Sequence, residues 1–206
     1  MLGNARPDAP AATTASHSVT TRASRRRDAT RAEILDAAWD IVRADGLAAL
    51  TLRDVARRVG MRAPSLYSYF PSKNAIYDAM FAQGSREFVA FYEQVPLTDD
   101  ALTDLRVGMH AFVRFATEDT ARYQLLYQRT LPGFEPSPES FATSVQGLDL
   151  LRRRLTAHGY DDTVVDLLTA LGTGLADQQI SNDPGGDRWI RLIDDAMTMF
   201  HNHVSG

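Results

Sequence analysis

Residues 50–81 read LTLRDVARRVGMRAPSLYSYFPSKNAIYDAMF, and this stretch decides the fold. Thr51 followed by Asp54 is a capping pattern, in which a hydroxyl accepts an N–H of the first turn and the acid reaches back. Leu52, Val55, Ala56 and Val59 recur at helical spacing, which predicts a short amphipathic helix. Gly60 supplies the backbone freedom of a sharp turn, and Met61 is an apolar plug for it. A second short helix is predicted over Ala63 to Tyr69, with Pro64 in its first turn, where a missing N–H costs little. Ala56, four residues before Gly60, lets the two helices cross closely. Two short helices about a tight turn form the helix-turn-helix layout, whose second helix lies in a DNA major groove.

The end of the stretch sharpens this reading. Leu66-Tyr67-Ser68-Tyr69-Phe70-Pro71-Ser72-Lys73-Asn74 resembles the L-Y-x-Y/H-F-x-S/N-K signature of the tetracycline-repressor (TetR) family of bacterial transcription regulators. The resemblance runs over roughly Thr30 to Phe81. It implies an all-α fold with an N-terminal three-helix DNA-binding head and a C-terminal helical body that binds a ligand and dimerises. It also implies that Tyr69 and Lys73 hold phosphates, and that the helix after Ser72 joins head to body and sets the separation of two heads.

Composition sets the bounds. The 206 residues are 44% hydrophobic and 23% charged, enough for one large or two small domains with a packed core. Without cysteine there is no disulfide framework and no thiol chemistry. No apolar run approaches a membrane span, and the N-terminus has no signal-peptide core, so a cytoplasmic location is expected. The net charge of −4 is unevenly spread: residues 1–80 carry 12 Lys/Arg against 8 Asp/Glu, and residues 81–206 carry 10 against 18. A basic front and an acidic rear suit a chain that meets a polyanion with one end.

Outward from the motif, residues 1–27 are expected to be a disordered, Ala/Thr/Ser/Pro-rich arm ending in Arg25, Arg26 and Arg27, which lie along DNA phosphates. Most such charge runs are solvated flanks; the position directly before a helix-turn-helix favours the arm. Residues 28–73 form the DNA-binding domain. Its first helix is predicted over Thr30 to Asp45, capped by Thr30 with Glu33, buried through Ile34, Leu35, Ala38, Ile41 and Val42, and closed by Gly46. Trp39 reads as packing.

Residues 74–206 form the ligand-binding and dimerisation domain. A long helix runs from Ser72 to about Gln94, stopped by Pro96. Further helices are predicted over Ala101 to Glu118, Arg122 to Leu131, Ser140 to His158, an eighth from a cap at Asp161 or Asp162 to Ser181, and a ninth from a cap at Asp187 to His203. Leu131 to Pro138 is a loop or lid with Phe134 dipping into the body. Arg152-Arg153-Arg154 is read as cations suiting a helix C-terminus. The last two helices, about residues 161–203, suit a four-helix homodimer interface; the alternative is an intrachain bundle.

Within the head, the exposed set is Arg62, Ala63, Pro64, Ser65, Tyr67, Ser68 and Tyr69. Arg62 is the candidate for a bidentate guanine contact, and Ala63 and Pro64 for a thymine methyl. Thr51, Arg53 and Lys73 are candidate phosphate clamps; Leu66 and Phe70 are core. In the body, the candidate ligand contacts are Phe88, Phe91, Tyr92, His110, Arg114, Tyr127, Phe134, Phe141, Asp177 and Gln178. Most of these aromatics are expected to be core, and such pockets are mostly apolar with a few polar groups.

The chain contains no H-E-x-x-H, P-loop, G-x-G-x-x-G or G-x-S-x-G. His201 and His203 are two apart and do not share a helix face, so no metal and no cofactor is expected. The expectation is therefore a non-enzymatic, ligand-responsive regulator. It would be a homodimeric repressor on a palindromic double-stranded DNA operator, released by a small, largely apolar effector. The alternatives are an activator of the same family, or an all-α carrier or enzyme whose helix-turn-helix is architectural.

Overall fold

The computed structural model describes residues 22–205, and every regular element among them is helical. The head comprises α1 (Arg22–Asp45), a 3₁₀ turn (Leu47–Ala49), α2 (Leu52–Arg58) and α3 (Ala63–Tyr67). The body comprises α4 (Lys73–Glu93), α5 (Ala101–Glu118), α6 (Thr120–Tyr127), α7 (Pro138–Ala157), α8 (Val164–Asn182), a 3₁₀ turn (Ile190–Leu192) and α9 (Ile193–Val204). None of the described helices is long and apolar enough to cross a membrane.

The head folds as its sequence pattern dictates. Thr51 Oγ1 accepts the Asp54 N–H at 3.1 Å and caps α2. Gly60 turns the chain at φ +67°, a conformation that costs a side chain energy but not glycine. The Met61 N–H then donates to the Ala56 carbonyl at 2.8 Å, and Met61 packs on the head core. Ile34, Val42, Leu50, Val55, Leu66 and Phe70 are fully buried in that core. Trp39 is buried too, and its Nε1 donates to Gln83 Oε1 at 3.2 Å.

Head and body share a core. Ala121 and Leu125 of α6 are buried in the same cluster as the head residues, with Ile76, Tyr77, Met80 and Phe81 of α4. Tyr77 donates its hydroxyl to the Leu47 carbonyl. Arg43, in the last turn of α1, pairs with Asp119 at 2.8 Å, and Asp119 caps α6 through the Arg122 N–H. A second core joins α5, α7, α8 and α9 around Val113, Val165, Ile193 and Met197.

Several boundaries differ from the sequence reading. Residues 1–21 of the expected disordered arm lie outside the described residues. Arg25, Arg26 and Arg27 do not belong to an irregular arm, because α1 begins at Arg22. Thr30 is consequently inside the helix, and its Oγ1 donates back to the Arg26 carbonyl instead of capping. The sixth helix starts two residues earlier and stops at Tyr127, because Asp119 caps it. Ser137 caps α7, with Pro138 at its first position, so the preceding loop is residues 128–137. Neither Asp161 nor Asp162 caps α8: Thr163 holds that position, and Asp161 accepts the Thr163 N–H at 2.8 Å in the turn before it. The stretch after Asp187 enters α9 through a 3₁₀ turn, pinned by the buried Gln179, whose Oε1 accepts the Trp189 N–H at 2.9 Å.

Candidate nucleic-acid interface and body cavity

The turn between α2 and α3 presents one polar surface. Arg62 occupies the N-cap of α3 in an extended conformation and is exposed. Pro64, Ser65, Tyr67 and Ser68 are exposed beside it, as is Arg53 on α2, while Ala63, Tyr69 and Lys73 are half-buried. Leu66 and Phe70 point into the core. An exposed tyrosine is notable here, because Tyr67 leaves 52% of its surface in solvent with no core partner.

The short α3 is held from behind by α1. Arg27 Nη2 donates to the Ser68 carbonyl at 2.8 Å, and Arg31 Nη1 donates to the Tyr69 carbonyl at 2.7 Å. The two guanidinium groups also lie over the rings of Tyr69 and Phe70. Arg27 thus satisfies a helix-end carbonyl, whereas Arg25 and Arg26 face solvent on the first turns of α1. Arg57 and Arg58 are engaged as well, with Asp54 at 2.7 Å and Asp40 at 3.0 Å. Thr51 is occupied by its capping bonds to Asp54. Lys73 sits in the first turn of α4, its ammonium 5.5 Å from the centroid of the Tyr77 ring.

In the body a cavity of about 290 Å³ lies among α4, α5, α6, α7 and α8. Phe88, Leu105, Met109, Phe112, Leu126 and Leu151 supply its apolar wall. Glycines make room for it: a Cβ on Gly108 would stand 2.6 Å from the Tyr92 hydroxyl, and one on Gly172 would stand 3.2 Å from Met109 Sδ. Polar groups gather where α4 ends and α5 begins: Tyr92, Asp104, Arg154 and His158. Asp104 accepts His158 Nε2 at 2.7 Å and the Thr98 N–H and hydroxyl, each at 2.8 Å. Burial alone would raise the Asp104 carboxyl. The hydrogen bonds from His158 and Thr98, with the His158 charge, outweigh burial and hold it below its ordinary value. Desolvation pushes the Tyr92 phenol up, against the lowering effect of Arg154 beside it.

Of the body residues singled out in the sequence, Phe88, Tyr92 and Tyr127 line this cavity. The others do not. Phe91 packs on Phe115 with Arg114 above it, and Arg114 also reaches Glu118 at 3.7 Å on the surface. His110 pairs with Asp194 at 2.9 Å, tying α5 to α9. Phe134 turns toward the head and meets the Tyr77 ring at 5.6 Å, because the loop before α7 folds back on α4. Phe141 is 53% exposed. Asp177 is a structural acceptor for Tyr123 at 2.8 Å and Gln128 at 2.7 Å, and Gln178 bonds Asn182 at the surface.

The sequence reading missed Ser85, Asp104, Arg154 and His158. A signal for Arg154 was present. Ser144, Gly147, Leu148, Leu151, Arg154, Leu155 and His158 recur at three- and four-residue steps, so this arginine stands on the inward stripe of α7.

Comparison with known proteins agrees with this geometry. Residues 34–80 match the sequence model of the family described as bacterial regulatory proteins, tetR family. Over 103 residues the chain is 30% identical to the HTH-type transcriptional activator FasR of Mycolicibacterium smegmatis, a match covering 50% of this chain and 47% of that protein. The chain spans about half the length of the curated relatives it matches. Among solved structures, the putative regulatory protein SCO4313 superposes with a TM-score of 0.74 at 19% identity, covering 88% of this chain and 100% of that one. A bacterial regulatory protein in the tetR family from Rhodococcus RHA1 superposes with a TM-score of 0.62 at 22% identity, over 82% and 96% of the two chains. Residues 34–80 of the head thus carry the sequence pattern of the tetR family of bacterial regulatory proteins, and the chain shares the helical fold of these solved structures.

Proposed function

We propose that the protein is a DNA-binding transcription regulator of the cytoplasm, acting as a homodimer and answering to a small molecule held in the body cavity. The observation that carries this reading is the exposed set Arg62, Pro64, Ser65 and Tyr67 at the start of a helix whose far end is clamped by Arg27 and Arg31. In a major groove, Arg62 would pair with guanine and Pro64 would meet a thymine methyl. Lys73, Tyr69 and Arg53 would contact phosphates, as would the exposed Arg25 and Arg26.

Two heads, roughly 34–36 Å apart, would read the halves of a palindrome. The second protomer would dock on α8 and α9, where Leu167 and Met199 stand 42% and 72% exposed. The cavity would be felt at the DNA through α6. Leu126 and Tyr127 of α6 line the cavity, while Ala121 and Leu125 of the same helix are buried with the head. An effector can shift the head positions only by binding one body shape more tightly than the other.

Repression relieved by the effector is the first reading of the sign. Activation is the second, favoured by the relative FasR, which is a transcriptional activator. The test is fluorescence anisotropy on the DNA upstream of the protein's own gene, with a scrambled duplex as control. Tight binding to one palindrome by two protomers, falling steeply with salt, is the expected result. Equal or absent binding to both duplexes at low salt would leave the helix-turn-helix architectural and the protein a carrier.

A further inference from the structure

We propose that the body cavity takes an amphipathic monocarboxylate, a molecule with an apolar tail and one carboxylate, and that Arg154 receives the carboxylate. The inference rests on the effector-binding reading above and adds the ligand class to it.

Arg154 enters the cavity wall from α7 with its charge unmatched. Arg106 and Arg122 also bury an unpartnered Nε, but neither lines the cavity: Arg122 pairs with Glu87 at 3.3 Å, and Arg106 donates to Thr198 at 2.8 Å near the α5–α9 contact. Arg154 has no carboxylate partner among the described residues. Its Nη2 donates to the carbonyls of Tyr92 at 2.7 Å and Val95 at 2.9 Å, at the C-terminal end of α4. Its Nε is buried with no hydrogen-bond partner. A buried donor without an acceptor, on a cation with no ion-pair partner of its own, is a costly arrangement. A ligand carboxylate satisfies both needs at once.

The acid in the same region does not repel such a ligand into another mode. Asp104 is saturated by Thr98 and His158, and its side chain is 7% exposed. It therefore offers little to a ligand cation. A second unsatisfied donor, the buried Ser85 hydroxyl, stands elsewhere on the same wall. Between the levels of Ser144 and Arg154 the wall follows α7 for roughly 15 Å, at the helical rise of 1.5 Å per residue. Gly147, Leu148 and Leu151 line that length. This shape suits an extended chain with its charged end at Arg154.

The same arginine ties the ligand to the output. Arg154 is the clasp that α7 places on the end of α4, so a carboxylate at its Nε binds the same guanidinium whose Nη2 holds the Tyr92 and Val95 carbonyls.

The test is equilibrium dialysis of the full chain against radiolabelled decanoate, decanol and decylamine, without DNA. Decanoate is expected to bind about tenfold or more tightly than either of the others, the scale of one charge-assisted hydrogen bond. Arg154→Gln should bring decanoate to the level of decanol, with far-UV circular dichroism reporting that the variant keeps its helical fold. Arg154→Lys should restore part of the preference, and Leu148→Trp should exclude both molecules. The proposal is overturned if decanol or decylamine binds as well as decanoate, if none of the three binds, or if Arg154→Gln keeps the preference. Because no DNA is present, operator binding without decanoate binding would sink the ligand class alone, and the reverse would sink the regulator reading alone.

Discussion

The carboxylate of Asp78 on α4 accepts the backbone N–H of Ser137, the N-cap of α7, at 2.6 Å. The hydroxyls of Ser137 and Ser140 donate to the same carboxylate at 3.0 and 2.8 Å. Close by, Asn74 donates to the Gly133 carbonyl at 3.3 Å, and Phe134 packs on Tyr77. The start of α7 is therefore fastened to the head end of α4, and Arg154 fastens the other end of α7 to the far end of α4. Motion of α7 has no route that leaves α4 undisturbed.

Removing the first fastening has a calculable cost. Asp78→Ala leaves three donors without their acceptor, which should destabilise the fold by about 2–3 kcal/mol. For a chain of this size that lowers Tm by roughly 4–12 °C. Asp78→Asn keeps one acceptor and should lose less. Thermal melts by circular dichroism check this, and an unchanged Tm for the alanine variant would mean the start of α7 is held by packing alone.

Under the proposed function, the head divides base reading and phosphate holding between different residues. Arg62→Ala should cost about 1–3 kcal/mol on the preferred operator and relax selectivity at one base position. Lys73→Ala should weaken preferred and scrambled duplexes alike and make the salt slope shallower by about one. Anisotropy titrations at several salt concentrations distinguish the two outcomes. An Arg62 variant with unchanged selectivity would move base reading to Tyr67 or Ser65.

The head was legible because its determinants are local. Thr51, Asp54, Gly60 and Pro64 act within a turn or two of themselves, and each does in the structure what its spacing requires. The start of α1 was misread at Thr30, since a threonine inside a helix and one at its cap carry the same letter. The body cavity was only partly legible. Aromatic character alone points to Phe88, Tyr92 and Tyr127, yet it points equally to Phe91, which lies one turn from Phe88 and faces Phe115 and the surface arginine instead. Arg154 was hidden in a run of three arginines, where composition suggested helix-end cations. Its neighbour Arg152 does take surface partners, Asp149 and Asp162, each at 3.1 Å. Only the helical phase, three residues from Leu151, separates it from them.

Asp104 makes stability depend on acid. Its folded carboxyl lies below the ordinary value because its hydrogen bonds from His158 and Thr98 outweigh burial. A depressed carboxyl contributes stability that is complete above the unfolded value and is lost as pH falls through the folded one. Denaturant titrations should therefore show a loss of stability on descending below the ordinary carboxylate range, and Asp104→Asn should abolish that part of the slope. The variant should also be less stable than the parent at neutral pH, since His158 and Thr98 then face an amide in place of a carboxylate. A parent and variant with parallel acid limbs would assign the loss to other carboxylates.

Gly174 tests the proposed dimer. It stands in the middle of α8, where glycine costs about 0.8–1.0 kcal/mol relative to alanine and leucine is nearly as favourable as alanine. A Cβ added there meets nothing within 4 Å in this chain, unlike one on Gly172, which meets Met109 and Phe112. Leu167, Leu171, Gly174 and Gln178 follow one another at three- and four-residue steps on this helix, so a partner helix on that face would cross at the glycine. For an isolated protomer, Gly174→Leu should hold or raise Tm by a few degrees. For a dimer packed through α8 and α9, the same change wedges the helices apart. Sedimentation velocity should then show a shift from dimer to monomer, with loss of operator binding but retained helical content. A variant that remains dimeric would place the interface on another face, and a parent that sediments as a monomer would remove the two-headed reading of DNA altogether.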